Sequence, residues 1–151
     1  QERSSYSMFS SLREVITLAS IVEKETGKEE ERSHVASVFI NRLRLGMRLQ
    51  SDPTVIYGIT MGRFNLGRRL KRKDLKSFSV FNTYLIPGLP PTPITNPGTQ
   101  AIMAVLHPKK SNDLYFVADG YGGHLFSDTL KRHNENVRKW KKIRDSKDER
   151  N

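Results

Sequence analysis

Residues 12–27 read LREVITLASIVEKETG, and this stretch decides the fold. Its apolar residues recur at spacings of three and four, and they are Leu12, Val15, Leu18, Ala19 and Val22. That spacing is typical of a helix with one apolar face. Gly27 stands where a C-terminal cap is expected. The stretch therefore predicts an amphipathic helix over residues 12–26 that packs against a core.

The end of this helix carries the first candidate for chemistry. Successive helical residues turn by ~100°, so Glu25 falls beside Leu18 and Val22 on the inward stripe. Glu23 lies on the opposite flank, and Lys24 points away. A carboxyl group on an apolar stripe loses hydration, and at a helix C-terminus it faces the negative end of the dipole; both effects raise its pKa. The pattern favours either a general acid protonated near neutral pH or a structural carboxylate that pairs with an arginine.

Two further helices follow the first one. The spacing of apolar residues predicts a second helix over residues 29–45 that stops at Gly46. A third helix should begin with Ser51 or Asp52 as its N-cap, and Pro53 suits its first turn. After it we expect a loop rich in glycine and arginine.

The next elements are shorter. A turn of helix is expected near Asp74, and another helix should begin near Asn96, with Pro97 at its first position. This helix should end before His107, which precedes a proline.

The C-terminal region combines a hairpin with a final helix. Residues 114–118 and 124–126 are apolar and flank a glycine-rich turn, which predicts a β-hairpin. Thr129 should start the last helix, which is expected to fray into a charged tail after Ile143. The sequence shows no repeat and no linker between domains. We therefore predict one α+β domain, mostly helical with a small β-hairpin, whose core spans about residues 12–140 of the 151.

Composition limits the function classes. The 151 residues carry a formal net charge of +10 with 26 lysines and arginines, partly in the runs 68–73 and 138–142. This charge favours either an anionic partner or a surface that serves solubility. The absence of cysteine excludes disulfides, thiolate zinc sites and a cysteine nucleophile. The four histidines show no metal-ligand spacing, so we predict no metal site; they are His34, His107, His124 and His133.

Seven colinear blocks resemble the endolytic murein transglycosylase family, of the membrane-anchored YceG-like type. The blocks are Leu18-Ala-Ser-Ile-Val-Glu-Lys-Glu-Thr26, Val35-Ala-Ser-Val-Phe-Ile-Asn-Arg-Leu43, Met47-Arg-Leu-Gln-Ser-Asp-Pro-Thr-Val-Ile-Tyr-Gly58, Asn82-Thr-Tyr84, Gly88-Leu-Pro-Pro91, Tyr115-Phe-Val-Ala-Asp-Gly120 and Gly122-Gly-His-Leu-Phe126. The resemblance implies a lysozyme-like catalytic domain whose essential glutamate is Glu25. Helical geometry favours the same residue.

The resemblance also implies an activity. An endolytic lytic transglycosylase cleaves the bond between N-acetylmuramic acid and N-acetylglucosamine in nascent peptidoglycan, leaves 1,6-anhydro ends and helps to terminate strand elongation. It uses one carboxyl group and no metal or organic cofactor. Its partners would be glycan strands and peptidoglycan synthases.

The resemblance implies a location as well. The parent protein would be anchored in the bacterial inner membrane, with this domain on the extracytoplasmic side. The family's membrane anchor and LysM-like domain would lie upstream, because no apolar stretch here approaches the ~20 residues that span a bilayer. Since the chain begins at Gln1, we expect it to be a processed or truncated piece.

Nine residues are candidates for substrate binding, namely Gln50, Ser51, Asp52, Thr54, Tyr57, Asn82, Thr83, Tyr84 and His124. Asp52 is either a second acid or an N-cap. Gln50, Ser51 and Thr54 either hydrogen-bond sugars or serve the helix start. Tyr57 either packs beneath a sugar ring or fills the core, and His124 lies either in the cleft or on the hairpin surface.

Three other functions compete with the transglycosylase interpretation. One is a non-catalytic peptidoglycan-binding module in which Glu25 is structural. Another is a nucleic-acid-binding domain, but no zinc-finger or aromatic ribonucleoprotein motif is present and the basic run 68–73 contains no aromatic residue, so we predict no nucleic acid. The last is a pyridoxal-phosphate lyase, for which no lysine stands out as a buried Schiff-base donor.

Overall fold

The computed structural model describes residues 8–149, so the outer limits of the predicted domain, residues 1 and 151, lie outside the described part. Its helices and strands are α1 Leu12–Glu25, α2 Arg32–Arg44, α3 Asp52–Thr60, α4 Arg72–Leu75, α5 Thr99–Leu106, β1 Tyr115–Ala118, β2 His124–Ser127 and α6 Leu130–Glu149. These elements confirm the predicted α+β class. None of the helices within residues 8–149 is both long enough and apolar enough to cross a bilayer.

Helix α1 is the central element of the core. Ser11 caps it, since its side chain accepts a hydrogen bond from the Glu14 N–H at 3.3 Å. The Glu14 carboxylate in turn accepts from the Ser10 N–H at 2.7 Å. These bonds satisfy donors that the first helical turn leaves unpaired. The helix ends at Glu25 because Thr26 is extended, so the last predicted residue lies just outside it.

The apolar stripe of α1 is buried as predicted. Helices α2, α3 and α5 contact α1 directly. The fully buried side chains at this junction are aliphatic or aromatic and include Leu18, Ile21, Val22, Val35, Phe39, Ile40 and Val105. Burying each large apolar side chain contributes about 1.5–3 kcal/mol. This core fixes the C-terminal end of α1, where Glu25 lies.

Two helix starts differ from the prediction. Residues Glu29–Glu31 form a 3-10 turn rather than the first turn of α2, as is common at helix N-termini. Helix α5 begins at Thr99 instead of near Asn96. Gly98, its N-cap, has extended backbone, and its N–H donates to the Glu23 carboxylate at 3.1 Å. This bond ties the segment before α5 to α1.

The predicted hairpin is present. Strands β1 and β2 pair antiparallel, with Phe116 opposite Phe126 and Ala118 opposite His124. In the connecting turn, the Asp119 carboxylate accepts hydrogen bonds from the N–H groups of Tyr121 at 2.7 Å and Gly123 at 3.1 Å. The turn is therefore held by its own side chain.

Helix α6 packs across this hairpin and extends further than predicted. Instead of fraying after Ile143, it stays helical to Glu149. Its last turns are held on the hairpin because Lys147 donates to the carbonyl oxygen of Gly120 and lies over the Tyr121 ring at 5.2 Å.

Gly120 controls this contact and offers a test. Its φ is +88°, and an added Cβ would lie 2.5 Å from a methyl carbon of Ile143. We expect Gly120→Ala to lower the free energy of unfolding by about 1–2 kcal/mol, because of the left-handed backbone, with a further cost from the clash. Urea unfolding measures this, and Gly46→Ala is the control, because its φ is +71° and no atom lies within 4 Å of its added Cβ. Equal effects of the two changes would contradict a close α6–hairpin contact.

Candidate active site

A cleft of about 350 Å³ lies where the end of α1, helix α2, the hairpin and α6 meet. Five of the predicted site residues line it, and they are Glu25, Gln50, Asp52, Tyr84 and His124. Gln50 adopts a left-handed φ of +52°, and its N–H donates to the Thr83 carbonyl at 3.2 Å. A strained non-glycine residue in a cleft wall is a common feature of functional sites.

Glu25 lies at the C-terminal end of the apolar stripe of α1 and is partly exposed to the cleft. Burial among protein atoms raises its pKa to about 7; a hydrogen bond from the Ser51 hydroxyl lowers it and the charge of Asp52 raises it. The Ser51 oxygen lies 2.7 Å from Glu25 Oε1. At pH 7 roughly half of the Glu25 groups are protonated, against about 0.3% for an ordinary glutamate. Glu25 can therefore donate a proton near neutral pH.

Asp52 is the second carboxyl group of the cleft. It is the first residue of α3, and Ser51 occupies the N-cap position, so Asp52 is not the cap. Its carboxylate accepts a hydrogen bond from the Tyr84 hydroxyl at 2.6 Å. Burial and the neighbouring Asp52 raise the pKa of Tyr84, so its hydroxyl remains a proton donor in this bond. The pair forms one wall of the cleft.

Thr54 and Thr83 lie behind the cleft and do not line it. Both are fully buried, and their hydroxyl oxygens are 2.8 Å apart. Thr54 donates to the Ser51 carbonyl at 2.6 Å, and the Ser51 N–H donates to Thr83 Oγ1 at 2.9 Å. The predicted contact with substrate is therefore corrected: these threonines hold Ser51 against Glu25.

Asn82 and Tyr57 also differ from the predicted sugar contacts. Asn82 is buried, its amide donates to two backbone carbonyls, and its side-chain oxygen accepts from the Tyr84 N–H at 2.9 Å. It orders the loop that carries Tyr84. The Tyr57 ring packs edge-on against Phe81, with centroids 4.8 Å apart, and lines a different cavity. Of the two predicted roles for Tyr57, the structure favours packing against the core.

His124 faces the cleft and is held firmly. Its Nδ1 lies 2.9 Å from Glu31 Oε1, and its backbone N–H donates to Glu31 Oε2 at 2.9 Å. Its ring contacts Phe116 edge-on. Glu31 therefore fixes the ring in the cleft wall rather than on the hairpin surface.

Several residues of the cleft wall were not predicted from the sequence. Arg42 is buried, donates to the carbonyls of Leu114 and Arg48, and has its pKa lowered by burial. It lies four residues after Val38, on the buried face of α2, so helical spacing would have indicated it. Trp140, from α6, also lines the cleft. It is the only tryptophan of the chain and lies among charged residues, which was a usable signal.

Metal-ligating side chains do not cluster in the described part of the chain. Within residues 8–149, no three histidine, aspartate or glutamate side chains lie close enough together to hold a metal ion.

The two neighbours of Glu25 are expected to shift its pKa in opposite directions. Ser51→Ala removes a bond that favours the carboxylate, so the pKa of Glu25 should rise further. Asp52→Asn removes a nearby negative charge, so this pKa should fall. Carbon-13 NMR titration of the glutamate side chains measures both. Shifts of the same sign would show that the described contacts do not control this carboxyl group.

The fold and the cleft define a class of protein: an α+β domain that presents one desolvated carboxyl group, supported by a serine, in an open cleft. The sequence model of the YceG-like family matches residues 1–139, and the chain belongs to that family.

Similar proteins support this assignment. The chain is 42% identical over 130 residues to a protein of Bacillus subtilis named endolytic murein transglycosylase; the alignment covers 86% of this chain and 35% of that protein. A protein of the same name from Streptococcus pneumoniae is 36% identical, with 83% and 23% covered. A crystal structure described as a yceG-like protein from Listeria monocytogenes has a TM-score of 0.78 at 42% identity, covering 86% of this chain and 41% of that one. The chain thus spans about a quarter to a third of these curated relatives.

Proposed function

We propose that this chain is the catalytic domain of an endolytic lytic transglycosylase that acts on peptidoglycan glycan strands. The observation that carries the proposal is Glu25, a carboxyl group with a pKa of about 7 in an open cleft. The name shared by the Bacillus and Streptococcus relatives supports the substrate class. The family resemblance of the catalytic block supports the choice of this glutamate.

The proposed reaction needs one enzyme carboxyl group. Protonated Glu25 donates its proton to the oxygen that links N-acetylmuramic acid to N-acetylglucosamine, and the bond from that oxygen to the muramic C1 breaks. The resulting carboxylate takes the proton of the muramic C6 hydroxyl as its oxygen bonds to C1. The products are a 1,6-anhydro end and a new free hydroxyl, and Glu25 is protonated again. A group with a pKa near neutral suits both halves of this cycle.

Ser51 and Asp52 fit this cycle as supporting groups. The Ser51 hydroxyl can donate to Glu25 while it is a carboxylate, between the two proton transfers. Asp52 is engaged with the Tyr84 hydroxyl, which holds it against the cleft wall. Because a hydrolytic retaining or inverting glycosidase needs a second reacting carboxylate, the role of Asp52 separates the two reaction types.

Mass spectrometry of sacculi treated with this protein tests the proposal. Fragments with 1,6-anhydro ends are expected. Reducing ends would show a hydrolase, and unchanged sacculi would show a non-catalytic peptidoglycan-binding module. Products of intermediate length are expected from long uncrosslinked strands, because an endolytic enzyme binds sugars on both sides of Glu25. Release of disaccharides from strand ends alone would contradict the endolytic mode.

Asp52→Asn should lower the rate much less than Glu25→Gln in the same assay. Asp52 acts on the Glu25 carboxyl group only through the electrostatic effect of its charge, whereas Glu25 itself transfers the proton. Initial rates of anhydro-end formation measure the difference. Tyr84→Phe is the control, because it removes the hydrogen-bond partner of Asp52 and keeps both carboxyl groups. Equal loss in the Asp52 and Glu25 variants, with unchanged stability, would indicate a two-carboxylate hydrolysis.

We also propose a cellular setting. The parent protein is anchored in the inner membrane, this domain faces the extracytoplasmic side, and it acts beside peptidoglycan synthases to terminate strand elongation. The support is the resemblance to the membrane-anchored family. Protease accessibility of the parent protein in spheroplasts tests the orientation: digestion of this domain from outside is expected, and protection would contradict it.

A further inference from the structure

A second cavity of about 440 Å³ adjoins the active-site cleft. The two share three lining residues, Ala118, His124 and Trp140. Trp140 is partly buried and lies at the junction, so its ring forms wall in both. The two cavities are therefore adjacent, and they meet at Trp140.

The second cavity is lined by basic side chains from two distant parts of the chain. Arg144 and Lys147 lie four and seven residues after Trp140, so all three share one face of α6. Arg69 joins them from the loop before α4. One acidic residue, Asp148, also lines this cavity. The fold thus brings a cation of the run 68–73 and two cations of the last turns of α6 together beside the cleft.

The cations of this cavity differ in how far they are already engaged. Lys147 donates to the Gly120 carbonyl and lies over the Tyr121 ring, so it holds α6 on the hairpin. Arg144 is paired with its exposed neighbour Asp145 at 3.2 Å. Arg69 is exposed and lines the cavity, and its side chain has no acidic partner within ion-pair distance among the described residues. Arg69 is therefore the group best placed to bind an anion, and Arg144 can join it by exchanging its exposed partner Asp145 for the ligand.

An indole face beside arginines selects a particular chemistry. An aromatic ring offers an apolar platform for the C–H face of a sugar, and a guanidinium binds a carboxylate through paired N–H donors. Together they suit a sugar that carries an acidic substituent. We propose that Trp140, Arg69 and Arg144 form a subsite for a muramic sugar that bears its carboxylate-rich peptide stem. This assignment rests on the proposed function and extends it to the preferred substrate.

The single tryptophan makes the subsite directly observable. Because Trp140 is the only tryptophan, fluorescence excited at the long-wavelength edge of the indole absorption band reports on this position alone. The probes are uncrosslinked glycan strands with tetrapeptide stems and the same strands stripped of their peptides by an amidase, titrated into the Glu25→Gln protein. Both are expected to change the emission of Trp140, with the stem-bearing strands binding more tightly. An unchanged emission at saturation would overturn the subsite.

Charge variants separate this subsite from general attraction to a basic protein. Arg69→Ala with Arg144→Ala should weaken binding of stem-bearing strands by about three- to tenfold and leave stripped strands unaffected. Arg44→Ala with Lys131→Ala is the matched control, because both residues are exposed and line neither cavity. Equal weakening in both double variants would overturn the proposal.

Removing the acid of the cavity should have the opposite effect. Asp148→Asn is expected to tighten binding of stem-bearing strands and to leave stripped strands unchanged. Tighter binding of a single-stranded oligothymidylate than of stem-bearing strands at Trp140 would instead assign the cavity to nucleic acid and overturn the proposal.

Steady-state kinetics distinguishes a subsite from a structural role. Trp140→Ala should raise KM for stem-bearing strands about tenfold or more with kcat nearly unchanged, and Trp140→Phe should restore most of the loss. A fall in kcat with unchanged KM would overturn the subsite. The absence of anhydro ends with the unaltered protein would defeat the proposed function itself, whereas anhydro ends formed equally from both kinds of strand would defeat only the subsite.

Discussion

Replacing Glu25 by glutamine is expected to abolish the formation of 1,6-anhydro ends. The amide keeps the shape of the side chain and can still accept the Ser51 hydrogen bond, so the fold and glycan binding should remain nearly intact. It cannot donate the catalytic proton or take one back. General acid–base catalysis contributes typically about 10²–10⁴-fold, and Glu25 serves both halves of the proposed cycle. The rate should therefore fall by at least about 10³-fold.

Glu23→Gln is the matched control for this loss. Glu23 lies two residues away on the same helix, where it faces Arg32 at 3.8 Å and accepts the Gly98 N–H. A glutamine can keep the second of these bonds, so a mild effect on rate is expected. Quantitative measurement of the anhydro ends formed by the Glu25→Gln and Glu23→Gln variants tests the assignment of Glu25. If the two variants behaved alike, or if Glu23→Gln were the more damaging, the assignment of Glu25 would be wrong.

The part of the site that the sequence predicts is the part made by local geometry. The phase of α1 depends only on spacing within 15 residues, which is why the position of Glu25 beside Leu18 and Val22 follows from periodicity. The hairpin is equally local, since apolar runs flank a glycine-rich turn. Its extent was nearly correct, with β2 one residue longer than predicted.

The supports of Glu25 depend on contacts between distant segments. Thr83 reaches Thr54 and Ser51 across about 30 residues of sequence, and only the folded chain shows that these hydroxyls are buried together. A polar residue beside a helix start is equally consistent with a helix cap and with a ligand contact. Ser51 is the N-cap by position, but its hydroxyl bonds to Glu25 instead.

The C-terminal helix shows the same limit more strongly. The sequence of α6 is highly charged and predicts a helix only to Ile143, with a frayed tail beyond it. None of the residues of α6 is buried. Its docking depends on single contacts with the hairpin, among them the methyl group of Ile143 over Gly120. Such contacts leave almost no periodic signal. For this reason the second cavity, and the place of Trp140 between it and the cleft, emerged only from the structure.

The raised pKa of Glu25 should also make the stability of the protein depend on pH. The folded pKa is about 7, against an unfolded value near 4.5. Between these values the folded state retains a proton that the unfolded state has released. The contribution of Glu25 to stability should therefore be highest below pH 4.5, fall as pH rises toward 7, and level off above it. For this group alone the loss amounts to at most about 3 kcal/mol, and solvent in the cleft reduces it.

Glu25→Gln removes this titration and isolates the effect. At pH 4 the variant and the unaltered protein should have similar free energies of unfolding, and at pH 8 the variant should be more stable by up to about 3 kcal/mol. Urea unfolding at pH 4, 6 and 8 measures the difference, with Glu23→Gln as the control that keeps the slope. A variant that gains stability and loses activity indicates a carboxyl group that the fold keeps in an energetically unfavourable environment because catalysis requires it there. Parallel pH profiles of Glu25→Gln and the unaltered protein would show that Glu25 is solvated like an ordinary glutamate, and the proton-donor role would then lose its physical basis.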